Sequence, residues 1–238
     1  SPPARLGPGP LLPRLLFARP AVPPGSMGRF LFPRAPEMHV TITGGSRMPA
    51  CYDIQSLELG RTVDKDQLVA SAEAVASLVA QEIERGVKPE RIVIAGFSQG
   101  GAVAYELGLS YPERLAGILA LSTYFATADS VSCSEANRDI PISVFHGTHD
   151  PMVPEALGRD SVAKLQAMGY KVEYQTYPME HAVCLEEIHS IGRFLRNVLS
   201  LGITLPTFIW PARRWSPGWA TCWATLPGAW ILTGCRRR

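Results

Sequence analysis

The stretch Arg91-Ile92-Val93-Ile94-Ala95-Gly96-Phe97-Ser98-Gln99-Gly100-Gly101 decides the fold of this 238-residue chain. The run from Arg91 to Ala95 is short, apolar and β-branched, as a buried strand should be. A helical run begins at Gln99 and carries Ala102, Val103, Leu107 and Leu109. Between them Gly96-Phe97-Ser98-Gln99-Gly100 forms a G-x-S-x-G pattern. A serine at such a strand-to-helix turn is held with its hydroxyl exposed, and the flanking glycines leave room for the sharp backbone. The chemistry it points to is acyl transfer by a nucleophilic serine. Taken alone, the same pattern also describes an ordinary βα turn.

Chain order separates the two readings. Pro141 to Gly147 reads as a strand running into a turn, followed by Thr148-His149-Asp150-Pro151. Tyr170 to Tyr177 reads as another strand, followed by Pro178-Met179-Glu180-His181. An acid and a histidine thus sit just past the carboxyl ends of two strands after the serine strand, where open parallel sheets bind ligands. Serine, acid, histidine is the order found in α/β-hydrolases. Of the other acids, Asp129 and Asp139 lie in a polar stretch with no strand before them and read as solvated loop residues. Among the other histidines, His39 has no such context, His146 lies inside a strand end and reads as a core group, His149 precedes the acid and points elsewhere, and His189 reads as a surface helix residue. No pair has the spacing of a metal site.

Several further segments carry a resemblance. They are Phe32-Pro33-Arg34-Ala35-Pro36, Val40-Thr41-Ile42-Thr43-Gly44-Gly45, Met48-Pro49-Ala50-Cys51-Tyr52-Asp53-Ile54, the serine motif itself, Gly147 to Pro154, and His181-Ala182-Val183-Cys184-Leu185-Glu186-Glu187-Ile188. In this order they resemble the acyl-protein thioesterase and carboxylesterase family, most of all its bacterial carboxylesterase branch, from about Phe30 to about Leu199. The resemblance implies an α/β-hydrolase-like fold. It makes Ser98 the nucleophile, Asp150 the orienting acid, His181 the base and the backbone N–H of Gln99 one oxyanion donor. It implies a carboxylic ester or thioester substrate, including an acylated protein, and no cofactor or metal. Many members pair as homodimers. Dienelactone-type hydrolases use cysteine at the nucleophile position, which Ser98 does not match.

The roles agree with elementary chemistry. A serine hydroxyl attacks at neutral pH only if a base takes its proton, an imidazole can accept and later return it, and a carboxylate fixes the imidazole tautomer. Two departures from the family stand out. Its second oxyanion donor comes from a His-Gly-Leu-Gly loop well upstream of the serine, and no such loop is found here. The nearest segment, Leu6-Gly7-Pro8-Gly9-Pro10, has proline where an amide donor is needed. Losing one donor costs about 100- to 1,000-fold in rate. The strand leading into that loop normally flanks the serine strand, so the N-terminal strands of the fold read as missing or replaced, and the serine strand's backbone needs another partner. Pro13 argues against residues 11–17 filling that place. The other departure is Cys51, which stands where the family usually has tryptophan.

Periodicity completes the architecture. Leu68, Val69, Ala72, Val75, Ala76, Leu78, Val79 and Ile83 mark a helix within 63–85, ending at Gly86. After it come a strand at 91–95, a helix at 99–110, strands at 115–121 and 141–146, a helix at 155–168 closed by Gly169, a strand at 170–177 and a helix at 182–199. Phe30–Phe32 reads as a short strand, and Glu186-Glu187 as a solvated helix face. The expected class is α/β, with a mostly parallel sheet and helices on both faces.

The ends differ from the middle. All 21 acidic residues lie between Glu37 and Glu187, and residues 30–200 hold 14 basic residues, a balance of −7. Residues 1–29 carry four arginines and eight prolines without an acid, and residues 201–238 carry five arginines and all five tryptophans without an acid. Residues 1–29 are therefore read as a disordered or non-native Pro/Arg-rich extension, 30–199 as the hydrolase domain, and 200–238 as a non-native or disordered tail. A frame change on each side of a sound core explains both ends and leaves a catalytically impaired family member as the alternative to an active enzyme. A transit peptide is disfavoured by the prolines, and a membrane span over 215–235 by Pro217, Gly218, Pro227, Gly228 and Gly234. The acidic middle offers no nucleic-acid footprint. An odd set of cysteines (Cys51, Cys133, Cys184, Cys222, Cys235) without C-x-x-C spacing suits a reduced, cytoplasmic setting, with Cys184 a packing residue.

Overall fold

The computed structural model describes residues 28–57, 61–199 and 228–234. Its centre is a run of parallel strands, β4 (Ile92–Phe97), β5 (Gly117–Leu121), β6 (Ile142–Gly147) and β7 (Val172–Tyr177), each adjacent to the next. Helices α2 (Gln99–Ser110), α3 (Glu155–Ala167) and α4 (Leu185–Val198) alternate with them, preceded by α1 (Lys65–Glu84). Every residue of β4, β5 and β6 is buried, which is why these segments read as unbroken apolar runs.

The two-residue period of the strands divides the core. Ile92, Ile94, Ile118, Ala120, Ile142 and Val144 face α1, α2 and α3. Val93, Ala95, Phe97, Leu119, Leu121 and Phe145 face the opposite side, covered by Phe194 and its neighbours on α4. The sheet therefore has helices on both faces, as expected. Helix α1 ends with Gly86 at φ 92° and α3 with Gly169 at φ 93°, the left-handed conformation that glycine adopts without a Cβ penalty. Strands β2 (Glu37–Val40) and β3 (Ser46–Pro49) form a separate antiparallel hairpin that periodicity did not reveal, because its residues are largely exposed and carry no apolar alternation.

The other side of the serine strand holds the main departure from expectation. Ala116 donates to the Ile92 carbonyl at 2.8 Å, and Ser98 donates to the Leu121 carbonyl at 2.9 Å. Alternate residues of β4 therefore bond to β5, and Val93, Ala95 and Phe97 turn their backbone groups the other way. There they meet β8 (Gly228–Gly234), which runs antiparallel to β4 with Phe97 opposite Gly228 and Val93 opposite Leu232. Strand β1 (Gly28–Leu31) pairs antiparallel with the far side of β8. The segment expected to fall outside the domain thus supplies the strand that the serine strand needs. The replacement of the N-terminal strands comes from the opposite end of the chain, in reversed direction. Pattern reading could not find it, because the tail carries no helical or strand period that outweighs its glycines and prolines. Residues 1–27, with the Leu6–Pro10 segment, and most of the 215–235 stretch lie outside the described residues. Among the described residues no helix is long and apolar enough to cross a membrane.

Candidate active site

Ser98 sits between β4 and α2 with φ 55° and ψ −122°, a strained backbone for a residue with a Cβ. The turn closes so tightly that a Cβ on Gly96 would overlap the carbonyl of Gly100, and a Cβ on Gly101 would overlap the side chain of Thr123. Thr123 in turn donates its hydroxyl to the Ser98 carbonyl at 2.6 Å. Gly96 fits the close helix–strand approach read from the sequence. The part played by Gly101 and Thr123 was not legible there, since the two come together only when β5 lies beside β4.

Gln99 opens α2, where first-turn N–H groups lack intrahelical partners. Its side chain reaches back across the chain, accepting the Cys51 N–H at 2.9 Å and donating to the Tyr52 carbonyl at 3.0 Å. The Cys51 carbonyl receives the Ser71 hydroxyl at 2.5 Å, and the Tyr52 and Tyr124 hydroxyls meet at 2.9 Å. The segment from Cys51 to Tyr52 is therefore bolted to the start of α2. Cys51 is buried, and burial pushes its thiol up to about 12, so it stays protonated and unreactive.

Asp150 lies past the end of β6 with a side chain that solvent does not reach. One carboxylate oxygen accepts the N–H groups of Met152 and Val153, both at 2.8 Å. The other lies 2.6 Å from Nδ1 of His181. Burial pushes the Asp150 carboxyl up, but the His181 ring and these amides outweigh it and hold the group below the usual carboxylate range. The loops carrying the two residues are joined by backbone bonds, Thr148 N–H to the Tyr177 carbonyl at 2.8 Å and His149 N–H to the Met179 carbonyl at 3.1 Å. A Cβ on Gly147 would strike the Met179 and Glu180 carbonyls, so the glycine lets the loops cross. The His181 ring packs on Phe97, the residue before Ser98, with ring centroids 4.6 Å apart.

The structure thus joins Asp150 to His181 and packs His181 on Phe97, the residue before Ser98, at the carboxyl edge of the sheet. Of the competing groups, His146 comes near this cluster, with Nε2 3.7 Å from an Asp150 oxygen. Asp129 is exposed and held by Lys65 at 2.5 Å, Asp139, His149 and His189 are exposed, and the His39 ring bonds to Gly45 in the hairpin at 2.8 Å. His146 is fully buried, as a core group should be. Cys184 is half-buried at the N-cap of α4. One reading needs correcting. Glu186 is exposed, but Glu187 is fully buried with neither carboxylate oxygen partnered. It falls on the buried stripe of α4 with Ser190 and Phe194, three and seven positions along, so helical geometry turns it inward despite its charge. Burial pushes its carboxyl up to about 8.

Comparison with known proteins places the chain in a family. The chain matches the phospholipase/carboxylesterase family over residues 22–199. It is 39% identical to acyl-protein thioesterase 1 of Gibberella zeae over 181 residues, covering 72% of this chain and 77% of that one. Against acyl-protein thioesterase 1 of Saccharomyces cerevisiae the identity is 34%, covering 72% and 78%. Among solved structures, SOBER1 of Arabidopsis thaliana superposes with a TM-score of 0.66 at 29% identity, covering 70% of this chain and 82% of that one. Acyl-protein thioesterase 2 of Zea mays gives 0.64 at 25% identity, covering 71% and 80%.

Proposed function

Because this chain belongs to the phospholipase/carboxylesterase family of hydrolases, we propose that it cleaves carboxylic esters or thioesters through a Ser98–His181–Asp150 triad and an acyl-enzyme. The observation that carries the reading is the 2.6 Å contact between His181 Nδ1 and Asp150, on a ring packed against the neighbour of a strained Ser98. With Nδ1 committed to the carboxylate, Nε2 is the nitrogen free to act as base. It takes the Ser98 proton as Oγ attacks the acyl carbon, then delivers it to the departing alcohol or thiolate. In the second half a water, deprotonated by the same nitrogen, attacks the acyl-enzyme, and the proton returns to Ser98 as the acid leaves. The Gln99 N–H stabilises the oxyanion. The acyl-protein thioesterase relatives favour an acylated protein cysteine among the substrates, alongside small acyl esters.

One observation favours a weaker catalyst. The strand beside β4 is antiparallel, so what adjoins Phe97 is the start of β8 at Gly228. A strand running this way starts at that edge, whereas the second donor of the family comes from a loop that leaves a strand there. A fluorophosphonate probe decides whether the site works. Labelling of Ser98 that disappears in Ser98→Ala supports the triad, and folded protein that takes no label overturns it.

A further inference from the structure

Asp150 is approached by a second histidine, and we propose that His146 is a positioning residue that fixes the angle at which Asp150 meets His181. The proposal rests on the triad reading above and extends it to a residue that the sequence marks only as core. His146 lies in β6 and is fully buried. Its Nε2 is 2.8 Å from the Val153 carbonyl. A carbonyl can only accept, so Nε2 carries the hydrogen and the neutral ring leaves Nδ1 as a bare lone pair. Burial pushes the imidazole down, against the pull of the Val153 carbonyl and of Asp150, which suits a neutral ring. The charged or titratable groups that act on it are Asp150, Glu155 and His181.

Val153 is gripped at both ends. Its N–H goes to one Asp150 oxygen at 2.8 Å, and its carbonyl takes the His146 N–H. The same His146 nitrogen stands 3.7 Å from the other Asp150 oxygen, the one that meets His181. Removing the His146 N–H would free the Val153 carbonyl, and with it the turn whose amides hold the carboxylate in place. The arrangement has costs that simple core filling would not incur. His146 Nδ1 is buried without a partner, whereas a leucine there would bury no polar atom. Space for the ring is made by Gly158, inside α3, where a Cβ would collide with the imidazole. Glycine in a helix interior weakens the helix relative to alanine.

The test compares wild type with His146→Leu, which fills the space without a donor, and His146→Gln, which offers an N–H in a similar place. Gly158→Ala displaces the ring without touching it chemically. Turnover of a p-nitrophenyl ester is measured per active site, with sites counted by fluorophosphonate titration. We expect His146→Leu and Gly158→Ala to lower kcat per site by up to about a hundredfold, as a small misplacement of a catalytic group does, with KM little changed. His146→Gln should recover most of the loss. A merely structural histidine would reduce the number of labelled sites and leave kcat per site unmoved in every variant, and that result overturns the proposal. If His146→Leu does not fold, Gly158→Ala and His146→Gln carry the same comparison. Wild-type protein that takes no label overturns the triad reading and this proposal with it, whereas a labelled wild type with unimpaired variants overturns this proposal alone.

Discussion

The side chain of Gln99 accepts the backbone N–H of Cys51 at 2.9 Å, joining two residues 48 positions apart. The residue whose own N–H we propose as the oxyanion donor is thereby anchored to a separate loop. Gln99→Met keeps that N–H and the side-chain volume but leaves the Cys51 N–H and the Tyr52 carbonyl unsatisfied in a buried place. Each such group costs about 1–3 kcal/mol. We expect a lower urea midpoint together with a reduced kcat. A variant as stable and as active as wild type would show that the clamp is dispensable.

Asp150→Asn should leave the fold intact and cut kcat by about 10,000-fold, because an amide can present its N–H to His181 and select the wrong tautomer. Steady-state ester hydrolysis measures this directly, with circular dichroism confirming that the protein is folded. A loss of only a few-fold would mean that another acid serves His181.

Gly96→Ala places a Cβ on the Gly100 carbonyl, which belongs to the backbone and cannot swing aside. The strand and helix must separate, at a cost of about 1–3 kcal/mol or more. Fluorophosphonate labelling should be lost even where a folded fraction remains. Full labelling of Gly96→Ala would show that the turn is looser than its geometry indicates.

Glu187 gives the stability a pH dependence of definite sign. Its folded-state carboxyl is pushed up to about 8 from an ordinary value of 4.5. The native state therefore binds this proton more tightly than the unfolded chain, and stability falls as pH rises through that window. The slope from this one group approaches about 1.4 kcal/mol per pH unit. Glu187→Gln should match wild type near the acid end, exceed it near pH 8, and flatten the curve between. Denaturant titrations across that range provide the check, and parallel curves for the two proteins would refute it.

Deletion of residues 200–238 should expose the edge of β4, where Val93, Ala95 and Phe97 now pair with β8. An unpaired edge at the centre of a sheet recruits other chains. We expect the shortened protein to melt earlier and to aggregate, as followed by light scattering during a thermal ramp. Unchanged melting would show that β8 contributes nothing to the folded state.

The parallel strands and the helices between them were legible because each is buried on a definite face. β4, β5 and β6 are apolar throughout, and α1 repeats its buried residues Leu68, Ala72, Val75 and Val79 at helical spacing. Such patterns are local and survive in the linear order of residues. Glu187 misled for the same reason. Its charge argued for water, while its place on the helix put it inside.

What the primary structure determined alone was the alternation of strand and helix, the sharp turn at Ser98, and the order of serine, acid and histidine. The first two depend on neighbours within a few positions, and the third is order along the chain. The grip of Gln99 on Cys51, the hold of His146 on Val153, and the choice of β8 as partner for β4 were decided only in three dimensions. They join segments whose proximity is set by how the whole sheet packs, and backbone groups that look alike in every residue find their partners only once that packing is complete.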